Sequence, residues 1–128
     1  MGNWQPEIVD VLLADNDVTA LVGTRVYLAA VPEPATRPYV LLTGSGGEEL
    51  QTSDGPAGLP VAVVELACVA STYIGAWALW ALAVAAVLAG SYTAVAHIEK
   101  IEGPRDAPNV DGSADIFAVV GLYEVVYR

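Results

Sequence analysis

The sequence predicts an α+β fold: an antiparallel or mixed sheet of four to five strands, with two main helices packed on one face. Three observations carry this expectation. Two segments repeat apolar residues at helical spacing, several others are short, apolar and β-rich, and loops rather than helices join most of those strands. At 128 residues and 13.3 kDa, the chain is expected to form one domain, 1–128, being too short for two independently stable cores.

Glu7 to Leu13 sets Ile8, Val11 and Leu12 at i, i+3 and i+4, one face of a short amphipathic helix. Pro6 suits its first turn, where a missing N–H costs nothing, and Asp15-Asn16-Asp17 closes it with turn chemistry. Val18 to Val22 reads as one further helical turn, ended by Gly23. Thr24 to Ala29 is short and β-rich. The prolines of Val31-Pro32-Glu33-Pro34 then force an extended connector, so an edge strand is expected here. Pro38 to Thr43 reads as a central strand, opened by a proline where no ladder N–H is needed.

Gly44 to Glu49 and Thr52 to Gly58 form a polar loop or hairpin longer than a turn requires, and loops of this length carry contacts. Val61 to Val69 is a third strand, apolar nearly throughout and interrupted by Glu65, which must point outward or find a partner. Ser71 and Thr72 are candidate N-caps for a helix over 73–90, and Gly90 is its stop. Thr93 to Ile101 alternates as a strand, Gly103 to Ser113 is a Pro/Gly/Asp loop, and Ile116 to Tyr127 closes the chain as a long strand.

The segment from Tyr73 to Gly90 is free of charge over 18 residues, the lower length of a membrane span. Seven alanines and two glycines dilute it, and its nearest basic residues are Arg37 and Lys100, so a buried helix is expected and no membrane contact. Tyr73, Trp77, Trp80, Val84 and Val87 follow at steps of 4, 3, 4 and 3, one continuous stripe. Ile74, Ala78, Ala81, Ala85 and Leu88 form an adjoining stripe of mostly small residues, suited to lying close on a sheet. The indoles of Trp77 and Trp80 have two readings: they fill the core, or they anchor a neighbouring subunit.

With 15 acidic against 5 basic residues the formal charge is −10, and a basic patch that grips a phosphate backbone is excluded. The acidity is spread over both halves. Hydrophobic residues reach 55% and charged ones only 16%, more apolar than an ordinary soluble domain, so part of the surface is expected to meet a partner. The single cysteine, Cys68, allows no internal disulfide and suits a reducing compartment, and the N-terminus lacks the features of a signal peptide.

Catalytic constellations are missing. Cys68 and His97 on adjacent strands would form the one conceivable nucleophile and base pair, without a glycine elbow, and Glu65 has no second carboxylate that must share its site. Gly44-Ser45-Gly46-Gly47 is followed by Glu48-Glu49 rather than a lysine, which suits a turn and not a phosphate cradle. Asp106, Asn109, Asp111 and Asp115 share a loop without the EF-hand spacing. No catalytic, cofactor-binding or metal-binding residue is assigned, and no cofactor is expected.

The run Leu12-Leu13-Ala14-Asp15 leading to Val18-Thr19-Ala20-Leu21-Val22-Gly23-Thr24-Arg25-Val26-Tyr27 resembles the opening of the tail-completion family of long-tailed bacteriophages. Pro38-Tyr39-Val40, the Asp-Gly-Pro loop Thr52-Ser53-Asp54-Gly55-Pro56-Ala57-Gly58, Thr72-Tyr73 and the closing Tyr127-Arg128 are similar to later anchors in the same order. The chain departs from the family's pattern in its second long helix, where charges are expected on one side and none occur.

The resemblance implies a structural virion protein and no enzyme. It would form a hexameric ring at the head-proximal end of the tail tube, assembled in the host cytoplasm. There it would end tube polymerisation and join the tail to the head connector. Its partners would be further copies of itself, the tail tube protein and the head-tail connector proteins, with DNA passing through without specific binding. Six copies would carry a formal charge of about −60, a wall of like sign to DNA. A stopper or adaptor of the same neck is the nearest alternative, and a small hydrolase a more distant one. Contacts are expected at Gly46, Glu48, Glu49, Asp54, Gly55 and Pro56 in the long loop, whose glycines permit backbone approach, and at Tyr73, Trp77, Trp80 and Val84 on the helix.

Overall fold

The computed structural model describes residues 4–29, 31, 36–44, 52–54, 60–107 and 116–127. Helix α1 spans Trp4–Ala14 and α2 Asn16–Val22; strands β1 (Val26–Leu28), β2 (Tyr39–Gly44), β3 (Thr52–Asp54) and β4 (Pro60–Ala70) follow, then α3 (Tyr73–Ala89), β5 (Val95–Ala107) and β6 (Phe117–Tyr127). The sheet runs β1-β2-β4-β6-β5, with β3 paired to β4 beyond the end of β2. β1 is parallel to β2 and every other pair is antiparallel, a mixed sheet in an α+β fold as expected.

Asp15 has a different job from the one expected of it. Its carboxylate accepts the amides of Asp17 and Val18 at 2.9 and 3.0 Å, so it is the N-cap of α2 as well as the break after α1. Gly23, at φ 61°, ends α2 in a conformation that disfavours a side chain. Thr72 caps α3 by accepting the Gly75 amide.

Strand β4 sends every second residue into the core beneath the helices, while Val61, Ala67 and Val69 are buried on its other face. Ala62, Val64, Leu66, Cys68 and Ala70 enter the core together with Ile8 and Leu12 of α1, Val18 and Val22 of α2, and Leu79 and Ala83 of α3. All three helices therefore serve the same sheet face. Across that core, the Glu7 carboxylate accepts the amides of Thr93 and Ala94 at 3.0 and 2.9 Å, tying α1 to the entry of β5. The Tyr92 hydroxyl donates to the carbonyl of Val87 at 2.7 Å, closing the turn out of α3.

Part of the loop expected over 103–113 is strand, and its residues 108–113 lie outside the described residues. Residues 103–107 continue β5, which stays paired to β6 through register shifts between Lys100 and Glu102 and between Glu102 and Arg105. Gly103, at φ 90°, makes this possible: a Cβ there would stand 2.9 Å from the Gly121 Cα, so the two strands meet at a pair of glycines.

Candidate interaction surfaces

Helix α3 decides which of its apolar stripes is inside. Ala76, Leu79, Trp80, Ala83, Ala86 and Val87 are buried. The stripe expected on the sheet is outside instead: Ile74 is 79% and Leu88 50% exposed, and Ala78, Ala81 and Ala85 are exposed between them. The reason is volume. Trp80 and Leu79 remove more apolar surface from water than alanines do, and the closeness expected from the outer stripe is supplied by Ala76 and Ala83. The outer stripe leaves a charge-free face on a helix that is apolar all round.

The four helix residues singled out from the sequence part company here. Trp80 is buried against Tyr123, ring centroids 6.3 Å apart, and fills the hollow over Gly121. Trp77 and Val84 are half-buried, and Tyr73 is 50% exposed. In the long loop, Gly46, Glu48, Glu49, Gly55 and Pro56 lie outside the described residues, and of Asp54 only the backbone is described, paired to Pro60 at the end of β3.

Sequence reasoning missed Asp106, which it assigned to a loop. At the end of β5 its carboxylate accepts from the Trp77 indole Nε1 at 3.0 Å and from the Tyr73 hydroxyl at 3.4 Å. Tyr73 meets Phe117 edge-on, at 6.2 Å and 84°, and leans on Trp77 at 6.4 Å. These groups open a cleft of about 250 Å³ between α3 and the facing ends of β5 and β6. The signal that could have found it was Tyr73 and Trp77 at i, i+4, which puts two polar-tipped rings side by side.

The sheet face away from the helices carries a row of acids. Glu65 pairs in register with Leu122, and Glu124 with both Val63 and Glu99, so Glu65, Glu124 and Glu99 cross three neighbouring strands on one side. Directly opposed carboxylates repel, and His97 Nε2 lies 3.7 Å from the Glu99 carboxylate.

Cys68 and His97 do not meet. They lie on opposite faces with β6 between their strands, and burial pushes the Cys68 thiol well above its ordinary range, which keeps it protonated and unreactive. Of the four residues considered for an ion site, Asn109, Asp111 and Asp115 lie outside the described residues. Among the described residues no group of three or more His, Cys, Asp or Glu side chains is placed to hold a metal, and no described helix is long and apolar enough to cross a membrane.

A family model described as tail completion protein gp17 matches residues 6–121. No curated protein matches the chain. Among solved structures, a chain from the virion of a native gene transfer agent (GTA) particle superposes with a TM-score of 0.64 at 23% identity, over 96% of this chain and 92% of that one. At that identity the likeness is one of fold.

Proposed function

We propose a function on the premise that this chain belongs to the tail completion protein gp17 family, and so is a structural protein of the phage virion tail. It forms a ring at the head-proximal end of the tail tube, stops tube growth, and presents a surface to which the head connector docks. A hexamer is the reading we adopt for the ring. The role is structural rather than enzymatic. The observation that carries the proposal is the family match over 6–121, which runs through the helices, the sheet and the long loop together.

Two features of the molecule support it. A chain of net charge −10 repels its own copies, and the outer face of α3, with Ile74, Ala78, Ala81, Ala85 and Leu88, offers an uncharged apolar surface where copies can meet. Tyr73, Trp77 and Val84 border that face, and the segment 44–58, which carries β3, is the second contact region. Trp80 serves from within, by holding α3 in place. The acidic row of Glu65, Glu99 and Glu124 suits a channel wall along which DNA slides without sticking.

Deletion of the gene from the particle that encodes it tests the function. The proposal expects tubes of uncontrolled length, with filled heads left unjoined. Infectious particles of normal tail length would overturn it, and tubes of normal length that fail to join heads would assign the chain to a later neck step, as a stopper or adaptor.

A further inference from the structure

We infer that the cleft at the start of α3 is a binding site for a guanidinium group, the arginine side chain of a neighbouring virion protein. Its walls are the rings of Tyr73 and Phe117 with Ala76 and Val119, and Asp106 stands at its edge. Both Asp106 oxygens are already oriented, one by the Trp77 indole and one by the Tyr73 hydroxyl. Those donors are neutral, so they fix the carboxylate's direction and leave its charge unmatched. Among the described residues no cation pairs with it, and the adjacent Arg105 faces Glu102 instead, at 3.7 Å. Each carboxylate oxygen accepts more than one hydrogen bond, so capacity for a further donor remains.

The chemistry selects its ligand. A carboxylate or phosphate is repelled by Asp106, and a purely apolar group would desolvate that charge without compensation. A planar cation can lie on an aromatic face while its N–H fork donates to the oriented carboxylate, and guanidinium does both where a compact ammonium does only the second. The chain has only 5 basic residues against 15 acidic ones, so cations for its carboxylates come mainly from partners. Assigning the arginine to another virion protein rests on the proposed function; the recognition of guanidinium does not.

The test is a titration of the ¹⁵N-labelled full chain with Nα-acetyl-arginine amide, following the Trp77 indole N–H, which is identified by its loss in Trp77→Phe. The inference expects a saturable shift in the millimolar range. The neutral isostere Nα-acetyl-citrulline amide should produce little shift, and the lysine analogue should bind more weakly than arginine. Asp106→Asn keeps an oxygen for the indole and should weaken arginine binding roughly tenfold, the loss expected of one charge-assisted hydrogen bond. Phe117→Leu, which keeps the fold's apolar contact and loses the ring, should weaken it too. Equal shifts from citrulline and arginine, equal affinity for lysine, or undiminished binding by a folded Asp106→Asn would each overturn the inference. Arginine binding alongside normal tails in the gene deletion would sink the proposed function alone.

Discussion

The indole of Trp80 occupies the space that a side chain on Gly121 would need: a Cβ at position 121 would stand 2.5 Å from Trp80 Cη2 and 3.0 Å from the carbonyl oxygen of Glu102. One contact thereby seats α3 on β6 beside the irregular part of β5. Gly121→Ala should destabilise the domain by roughly 1–3 kcal/mol, the usual effect of overfilling a packed site, as measured by chemical denaturation. A stability unchanged within error would show that α3 does not rest on Gly121.

Trp80 and Trp77 should separate on substitution. Trp80→Ala removes a buried indole and should cost about 3–5 kcal/mol, enough to unfold a marginal domain. Trp77→Ala, at a half-buried site, loses the bond to Asp106 and part of a ring contact, and should leave a folded chain with a loss nearer 1 kcal/mol. Circular dichroism with denaturation reads both, and the reverse order of effects would contradict the packing described.

Tyr123 is 1% exposed, and its hydroxyl has no hydrogen-bond partner among the described residues. Burial, and secondarily the charge that Cys68 would carry as a thiolate, hold its phenol far above its ordinary pKa. An orphaned buried hydroxyl costs free energy, so Tyr123→Phe should leave stability unchanged or raise it by about 1 kcal/mol. A loss of stability would reveal a partner to the hydroxyl.

Stability should fall with alkali. Burial, with the charge of Glu7, pushes Tyr92 up to about 12, so the folded state holds a proton that the unfolded chain releases near its ordinary value of about 10. The contribution is complete below that unfolded value and is lost as pH climbs from about 10 toward 12. Cys68 and Tyr123, both raised by burial, add in the same direction. Tyr92→Phe should flatten part of the slope in thermal melts taken across this range; a slope identical to that of the parent would contradict the assignment.

Most of the fold was legible because its signals are local. The nearly continuous apolar run of β4, the Thr72 cap and the i, i+3, i+4 pattern of α1 each act over a few residues. The choice between the stripes of α3 was not local: both are apolar, and the decision lies with Gly121, more than thirty residues further along the chain and without a side chain to advertise itself. β5 beyond Ile101 was hidden for a related reason. Gly103 and Pro104 read as a loop, and only the pairing of Glu102 and Arg105 on either side of them with β6 keeps the strand going. Asp106 followed that error, since a carboxylate assigned to a loop reads as solvated acidity rather than as the acceptor for two aromatic residues.

The outer face of α3 and the long loop should matter for assembly and not for folding. Ile74→Lys and Ala81→Glu each place a charge on an exposed position and should change stability by no more than about 0.5 kcal/mol. If copies meet on this face, both variants should remain folded and lose the ring by size-exclusion chromatography with light scattering. Shortening the loop within 44–58 should likewise give folded subunits that fail to assemble. Rings indistinguishable from those of the parent would remove the altered surface from the interface.

The central claim is that this chain closes the head-proximal end of the tail as a ring. Cryo-electron microscopy of tails isolated with the chain bound, at a resolution that distinguishes this fold from that of the tube protein, tests it most directly. The account predicts a single ring of six copies at the end that receives the head, with α3 at the boundary between copies. Copies along the tube, at the distal tip, or in no ring at all would contradict it.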